Sequence, residues 1–450
     1  MVDLVVAART IVPAWNQAPI ADGWIAVSDG LVEAIGTGPP PTAADHLDGG
    51  HGLAMPGFVN AHHHLYQGAS RGVAAEGGLI EWLAVHYRAW ARMTASDVEA
   101  AATLSLAQLA MGGCTTVAAF EYLHPGDADF VAPVVRAAER VGLRMLYIRG
   151  SAPRLEGALT ARLQDEGVDT DRLVEPEERA LADTAEVISR PTSDRLRWAA
   201  GPTTPVLDDD GAFHAALTEV ADEHGVGLHT HFHPLEGTRR DGESAADAAR
   251  RLGLLRRGNW FAHGSRLSAA DVAELGAAGV GVAHAPSCSV LLDYPIPSLA
   301  EWSRGSDRVA IAVDGAASND RGSSLVEAQL AWQLQRARSP GDAARLAPTR
   351  ILALATEGGA RTIGWNGLGR LEVGAPADIA VLGLDGLDHA GVPPMAAADP
   401  ATMLFRTYAG ADVRHLLVGD RVVVRDGELT GVDAASVAAD ADAVAERLYG

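Results

Sequence analysis

Leu53-Ala54-Met55-Pro56-Gly57-Phe58-Val59-Asn60-Ala61-His62-His63-His64 is an apolar, strand-length run that stops on three histidines. Side chains alternate faces on an extended backbone, so His62 and His64 point the same way and His63 points opposite. Two imidazoles on one face can bind a single metal ion at N–metal distances of about 2 Å. Taken alone, the run also reads as a histidine-rich polar loop. The same ending recurs down the chain: Leu228-His229-Thr230-His231-Phe232-His233, Trp260-Phe261-Ala262-His263-Gly264 and Ile311-Ala312-Val313-Asp314-Gly315 each close a hydrophobic run with polar residues. Singly, each is as well read as a satisfied buried histidine or a capping aspartate. Four such ends in one chain point instead to polar groups gathered at one rim of a parallel barrel.

Outward from these runs, residues 56–364 alternate apolar strand-length stretches with Ala-rich helical ones, the rhythm of repeated βα units. Expected strands include 115–120, 143–148, 227–231 and 309–313; expected helices include 96–110, capped at Ser96 and closed by Gly112-Gly113, and 213–222. A doubly wound open sheet has the same alternation, but polar residues at several strand ends favour an α/β fold of the closed (β/α)8 TIM type. Such a barrel, at roughly 250 residues, accounts for more than half of the 450 present. No internal repeat points to a solenoid. Both ends of the chain read differently. Short strands at 4–6, 23–27 and 31–35, with an Asp29-Gly30 hairpin turn, are matched at the far end by strands at 377–382, 413–418 and 421–424 around a Gly419-Asp420 turn. Ends of like character usually meet in space. Residues 1–55 and 365–450 are therefore expected to form one small composite β-sandwich domain beside a catalytic barrel of residues 56–364.

Hydrophobic residues make up 48% and charged residues 21%, a globular balance. The formal net charge of -22 repels a nucleic-acid backbone or an anionic membrane, so neither is an expected partner, and a neutral or cationic small molecule suits the chain better. Cys114 and Cys288 are the only cysteines, and both fall in segments that read as strand or strand end. No disulfide scaffold is expected, and a reducing cytoplasm is the expected location. The opening Met1-Val2-Asp3-Leu4-Val5-Val6 carries an acid and no long apolar stretch, and reads as a strand, not as a signal peptide or membrane span.

In order and spacing, Pro56-Gly57-Phe58-Val59-Asn60-Ala61-His62-His63-His64-Leu65, the strand-end His231, Ala262-His263 and Val313-Asp314-Gly315-Ala316-Ala317-Ser318-Asn319-Asp320 resemble the amidohydrolase superfamily. More narrowly, they resemble its branch of heterocycle deaminases and triazine hydrolases. His62-His63-His64-Leu65-Tyr66-Gln67 looks closest to the 8-oxoguanine deaminases and the s-triazine hydrolases. The resemblance covers nearly the whole chain, since Gly367-Leu368-Gly369-Arg370-Leu371-Glu372-Val373-Gly374-Ala375-Pro376-Ala377-Asp378-Ile379 is similar to the family's re-entry into its β-domain. It implies one divalent metal ion, zinc first and iron(II) second, held by His62, His64, His231 and Asp314, with His263 beside it. These deaminases generally carry a glutamate three residues after the third metal histidine, where this chain has Pro234. His233 and Glu236 are the neighbouring candidates for the proton donor, although a proline restricts the backbone there.

An ion bound by neutral imidazoles and one carboxylate lowers the pKa of its water to about 7, which supplies hydroxide at neutral pH. Asp314 is suited to accept the water proton and His263 to hydrogen-bond the attacking oxygen, while Glu236 or His233 protonates the leaving group. Gln67 offers an amide edge to the substrate ring, and Trp82 and Tyr122 offer flat faces; a solvated glutamine and core aromatics are the plainer readings. His284 ends another strand and is expected at the pocket border. Arg149 is a substrate contact or, in preference, an ion pair of the barrel rim. The expected activity is hydrolytic deamination of an aminated purine, pterin or related ring, a small-molecule reaction at a carbon–nitrogen bond outside peptides. The alternatives are removal of an alkylamine or halide from a triazine-like ring and hydrolysis of a cyclic amide. A catalytically inert zinc protein fits worse, because closed structural sites have Cys or His at each corner. A homo-oligomer, a dimer first, is the expected assembly.

Overall fold

Asp29 and Gly30 both take left-handed backbone (φ 51° and 73°), the geometry of a two-residue type I′ hairpin, and they join Ile20–Ser28 to Leu31–Thr37 with Ser28 paired to Leu31. At the far end, Gly419 (φ 62°) helps turn Val413–Val418 into Arg421–Arg425. The two ends meet through Leu53–Pro56, which pairs parallel with Val2–Ile11 and antiparallel with Ile379–Leu382. Strands from both ends thereby make one hydrogen-bonded sheet of nine. Leu4, Val6, Ile25, Leu47, Ile379 and Leu417 pack into a core of its own. A computed structural model of the chain describes residues 1–74, 78–126, 129–204, 211–232, 240, 242–338, 346–393, 398–407 and 413–450.

Between the sheet's two halves run eight parallel strands. Phe58–His63, Cys114–Glu121, Arg144–Ser151 and Leu196–Pro202 form one hydrogen-bonded run, and His229–His231, Trp260–Ala262, Gly281–His284 and Val309–Ile311 form the next. A parallel bridge from Ala200 to Leu228 joins the runs, and the Asp314 N–H closes the ring by donating to the His62 carbonyl at 3.1 Å. The molecule is thus a (β/α)8 barrel whose first strand follows directly from the composite sheet. Parallel strands are covered on both faces, which explains why Cys114–Glu121 and Arg144–Ser151 are buried at every residue. At the end of the barrel where strands begin, Arg308 donates to five carbonyls, those of Gly258, Asn259, Gly279, Arg361 and Thr362, at 2.6–3.3 Å.

Three local expectations shift. The helix expected from Ser96 runs Ala95–Met111 and is capped by Thr94, whose hydroxyl accepts from the Asp97 N–H while the Asp97 carboxylate accepts the Thr94 N–H at 2.6 Å. This reciprocal pair satisfies two otherwise orphaned donors, which Ser96 cannot do. The strand expected over 309–313 leaves the ladder at Ile311, because the Val313 N–H donates to the Asn60 side chain (3.0 Å) and Asp314 turns left-handed (φ 68°). Cys288 lies not in a strand but in the short helix Pro286–Leu291, whose proline occupies the first turn where its missing N–H costs nothing. Both thiols are buried and free of disulfide bonds.

Candidate metal centre

Strand ends deliver His62, His64, His231, His263 and Asp314 to one rim of the barrel, and the hydrogen bonds around them fix which nitrogen carries each proton. A carbonyl only accepts, so His64 Nδ1 must donate to the Phe120 carbonyl (2.6 Å), His231 Nδ1 to Thr203 (2.9 Å) and His229 Nδ1 to Trp260 (3.0 Å). His229 Nε2 therefore bears a lone pair and accepts from His62 Nδ1 at 2.8 Å. It follows that His62, His64 and His231 all present bare Nε2 lone pairs on the same side.

Those lone pairs converge. His64 Nε2 and His231 Nε2 are 3.0 Å apart, and Asp314 Oδ1 lies 3.3 Å from His62 Nε2 and 3.5 Å from His64 Nε2. The buried His62 Nε2 has no hydrogen-bond partner among the described residues. Backbone-anchored imidazoles whose remaining lone pairs face one another form an arrangement suited to a metal ion. His62, His64 and Asp314 form one group whose ligand atoms lie within 4.8 Å of one another; His62, His231 and His263 form another. His63 belongs to none, as alternation along the strand requires. Burial drives His64 down to about 3 and His231 well below its usual range, keeping both imidazoles neutral and ready to coordinate.

The backbone is strained where the chemistry gathers: His263 and Asp314 both sit at φ 68°. Left-handed conformation costs a non-glycine residue about 1–2 kcal/mol, which the fold sustains here through bonds on either side. The His263 N–H donates to Ala283 (2.8 Å), and the Gly315 N–H to Asp314 Oδ1 (2.6 Å). A Cβ at position 315 would lie 1.9 Å from Gln67 Oε1, so a larger residue there displaces the Gln67 amide.

A cleft opens over these groups. His64, His231, His263 and Asp314 form its floor together with Gln67, Trp82 and Tyr122. Gln67 Oε1 is buried with no hydrogen-bond partner among the described residues, while the Trp82 indole N–H is spent on the Ala317 carbonyl (3.0 Å). Leu79, Ile80, Leu83, Leu155 and Leu159 make the outer wall apolar. Two expected contacts stand apart. Arg149 makes a buried two-pronged ion pair with Glu175 (3.0 and 2.6 Å), and His284 is fully buried off the cleft with neither ring nitrogen hydrogen-bonded among the described residues. His233, Pro234 and Glu236 lie outside the described residues.

Among the lining residues not assigned from the sequence, Cys288 and Tyr87 bring a thiol and a phenol to the cleft. Cys288 lines the cleft beside Asp314, and Pro286 at a helix start was the only local signal that its thiol turns inward. Tyr87 reaches the cleft from Leu79–Trp90, and helical periodicity does not separate it from core.

Relatives match this chain along nearly its full length. An 8-oxoguanine deaminase from Pseudomonas aeruginosa is 34% identical, over 95% of each chain. A hydroxydechloroatrazine ethylaminohydrolase from Pseudomonas sp. (strain ADP) is 31% identical over 88% of this chain and 83% of its own. The structure of atrazine chlorohydrolase from Arthrobacter aurescens TC1 complexed with zinc superposes with a TM-score of 0.89 at 26% identity, covering 98% of this chain and 100% of that one. Residues 53–423, from the strand that leads into His62 and His64 to the returning strands of the composite sheet, match the amidohydrolase family, and to that family the chain belongs.

Proposed function

We propose that the chain is a metal-dependent hydrolase that deaminates an aminated nitrogen heterocycle, with one divalent ion held by His62, His64, His231 and Asp314. The observation that carries this reading is the convergence of three bare Nε2 lone pairs on one carboxylate at the floor of a cleft. When bound, the ion supplies Lewis acidity and a water whose pKa is lowered towards neutrality. Zinc is the first choice, supported by the zinc-bound relative, with iron(II) the second.

The protein's own groups then divide the work. Asp314 takes the proton of the attacking water, and His263, beside it at 4.0 Å (Nδ1 to Oδ2), hydrogen-bonds the oxygen as it adds to the ring. Gln67 reads the ring edge through its unpartnered carbonyl oxygen, with Trp82 and Tyr122 flanking the ring. His233 or Glu236 gives a proton to the departing amine. The substrate is a small neutral or cationic heterocycle, the enzyme is cytoplasmic and a dimer; among the described residues no helix is long and apolar enough to cross a membrane.

A panel of amino-purines, pterins and pyrimidines tests the reading: zinc-loaded protein should release ammonia from at least one ring, and release from none would overturn it. Loss of an alkylamine or halide from a triazine-like ring is the second reading, favoured by the leucine-rich outer wall and by the ethylaminohydrolase relative. It predicts release of ethylamine or chloride from N-ethylamino- or chloro-s-triazines and no ammonia from the panel above.

A further inference from the structure

Asp314 presents its two oxygens to two different donor sets. Oδ1 faces His62 and His64 at 3.3 and 3.5 Å, whereas Oδ2 faces His263 Nδ1 at 4.0 Å. The Cys288 thiol packs against the Asp314 carboxylate and the Ser318 hydroxyl. His263, Cys288 and Asp314 each offer one ligand atom, and all three atoms lie within 4.8 Å of one another. Cys288 and His263 both line the cleft, so a cation entering with solvent reaches them.

We propose that His263, Cys288 and Asp314 form a second, inhibitory metal subsite that takes a thiophilic divalent cation, cadmium or excess zinc, beside the ion of the proposed catalytic centre. Sulfur, imidazole and carboxylate together suit such borderline and soft ions. A carboxylate shared between neighbouring ions is also the usual bridge of two-metal sites, in which the ions stand about 3.5–4 Å apart. Forming the metal–sulfur bond breaks the S–H bond and releases its proton to solvent; nothing is oxidised or reduced. Occupation engages the imidazole that otherwise meets the attacking oxygen, so turnover stops. That last consequence rests on the proposed hydrolytic function, whereas occupation itself is measured without it.

The test is a cadmium titration of protein preloaded with one equivalent of zinc. Three signals are followed: the ultraviolet thiolate-to-cadmium charge-transfer band, the bound zinc and cadmium by mass spectrometry, and the rate on whichever substrate the panel identifies. The expected result is one added equivalent of cadmium, a saturating band, retained zinc and more than a tenfold loss of rate. Cys288→Ser, or Cys288→Ala if serine does not fold, should lose the band and the second equivalent, and its own rate should not respond to cadmium. Cys114→Ser, altering a thiol that donates to the Thr116 carbonyl at the far end of its strand, should keep both. Zinc expelled as cadmium enters, a second equivalent kept by both Cys288 variants, or no uptake by the native protein would each overturn the proposal. Failure to hold the first zinc would overturn the catalytic reading instead, since the cadmium–sulfur band reports on Cys288 regardless.

Discussion

Replacing His229 with phenylalanine separates holding a metal ligand in place from being one. His229 is fully buried, stacks on Trp260 with ring centroids 4.6 Å apart, and relays the Trp260 carbonyl to His62 through bonds of 3.0 and 2.8 Å. Phenylalanine keeps the ring and its stacking but removes both bonds, stranding the His62 Nδ1–H and the Trp260 carbonyl at about 1–3 kcal/mol each. The His62 proton is then free to move to Nε2, the nitrogen that must stay bare. Removal of such a supporting partner costs about 10–100-fold in metal affinity, or about 1.4–2.7 kcal/mol. Competition with a chromophoric chelator measures the zinc dissociation constant directly, and the melting temperature of metal-free protein corrects for lost stability. His229→Gln, whose amide both accepts and donates, should recover part of the affinity. If His229→Phe binds zinc within about twofold of native, the proton assignment at His62 is wrong.

Asp314→Asn should fold, because asparagine tolerates the left-handed backbone that this position adopts at φ 68°, yet lose at least about a hundredfold in turnover through loss of the charge and the proton acceptor. Glu121, fully buried with its carboxylate on the Leu65 N–H at 2.7 Å, is pushed by burial from 4.5 up to about 8. A carboxyl raised in the folded state stabilises it fully below pH 4.5, and that contribution is lost as pH climbs through 8; Glu121→Gln should therefore flatten the fall in melting temperature across this window. Arg308→Met removes all five bonds to carbonyls at the base of the barrel and should destabilise the fold by at least about 3 kcal/mol in urea titrations, without changing zinc stoichiometry.

The barrel and the paired chain ends were legible because their signals are local and periodic. Apolar runs alternate with helical stretches, Asp29-Gly30 names its turn, and His62 and His64 share a face by strand geometry alone. The recurrence of polar strand ends singled out His231, His263 and Asp314, and the structure gathers all five side chains on one rim. What escaped depends on partners distant in sequence. Arg149 and His284 also stand at strand ends; the ion pair preferred for Arg149 finds its partner in Glu175, whereas His284 is fully buried with neither ring nitrogen hydrogen-bonded among the described residues, a fact that no local pattern carries. The role of His229 rests on a proton fixed by the Trp260 carbonyl, thirty-one residues further on. Cys288 was misplaced because a six-residue helix looks like a strand end until its proline is given weight.

Leu53–Pro56, immediately ahead of the strand that ends on His62 and His64, draws its antiparallel neighbour from Ile379–Leu382, near the other end of the chain. Pairings that span most of a polypeptide form late, since the intervening chain must already be in place. As the ribosome releases this protein from its N-terminus, the lead-in to His62 waits with one edge uncovered until almost everything else has emerged. A nascent chain halted before residue 379 should accordingly be unable to retain zinc, however complete its barrel strands, and should depend on chaperones to shield that edge.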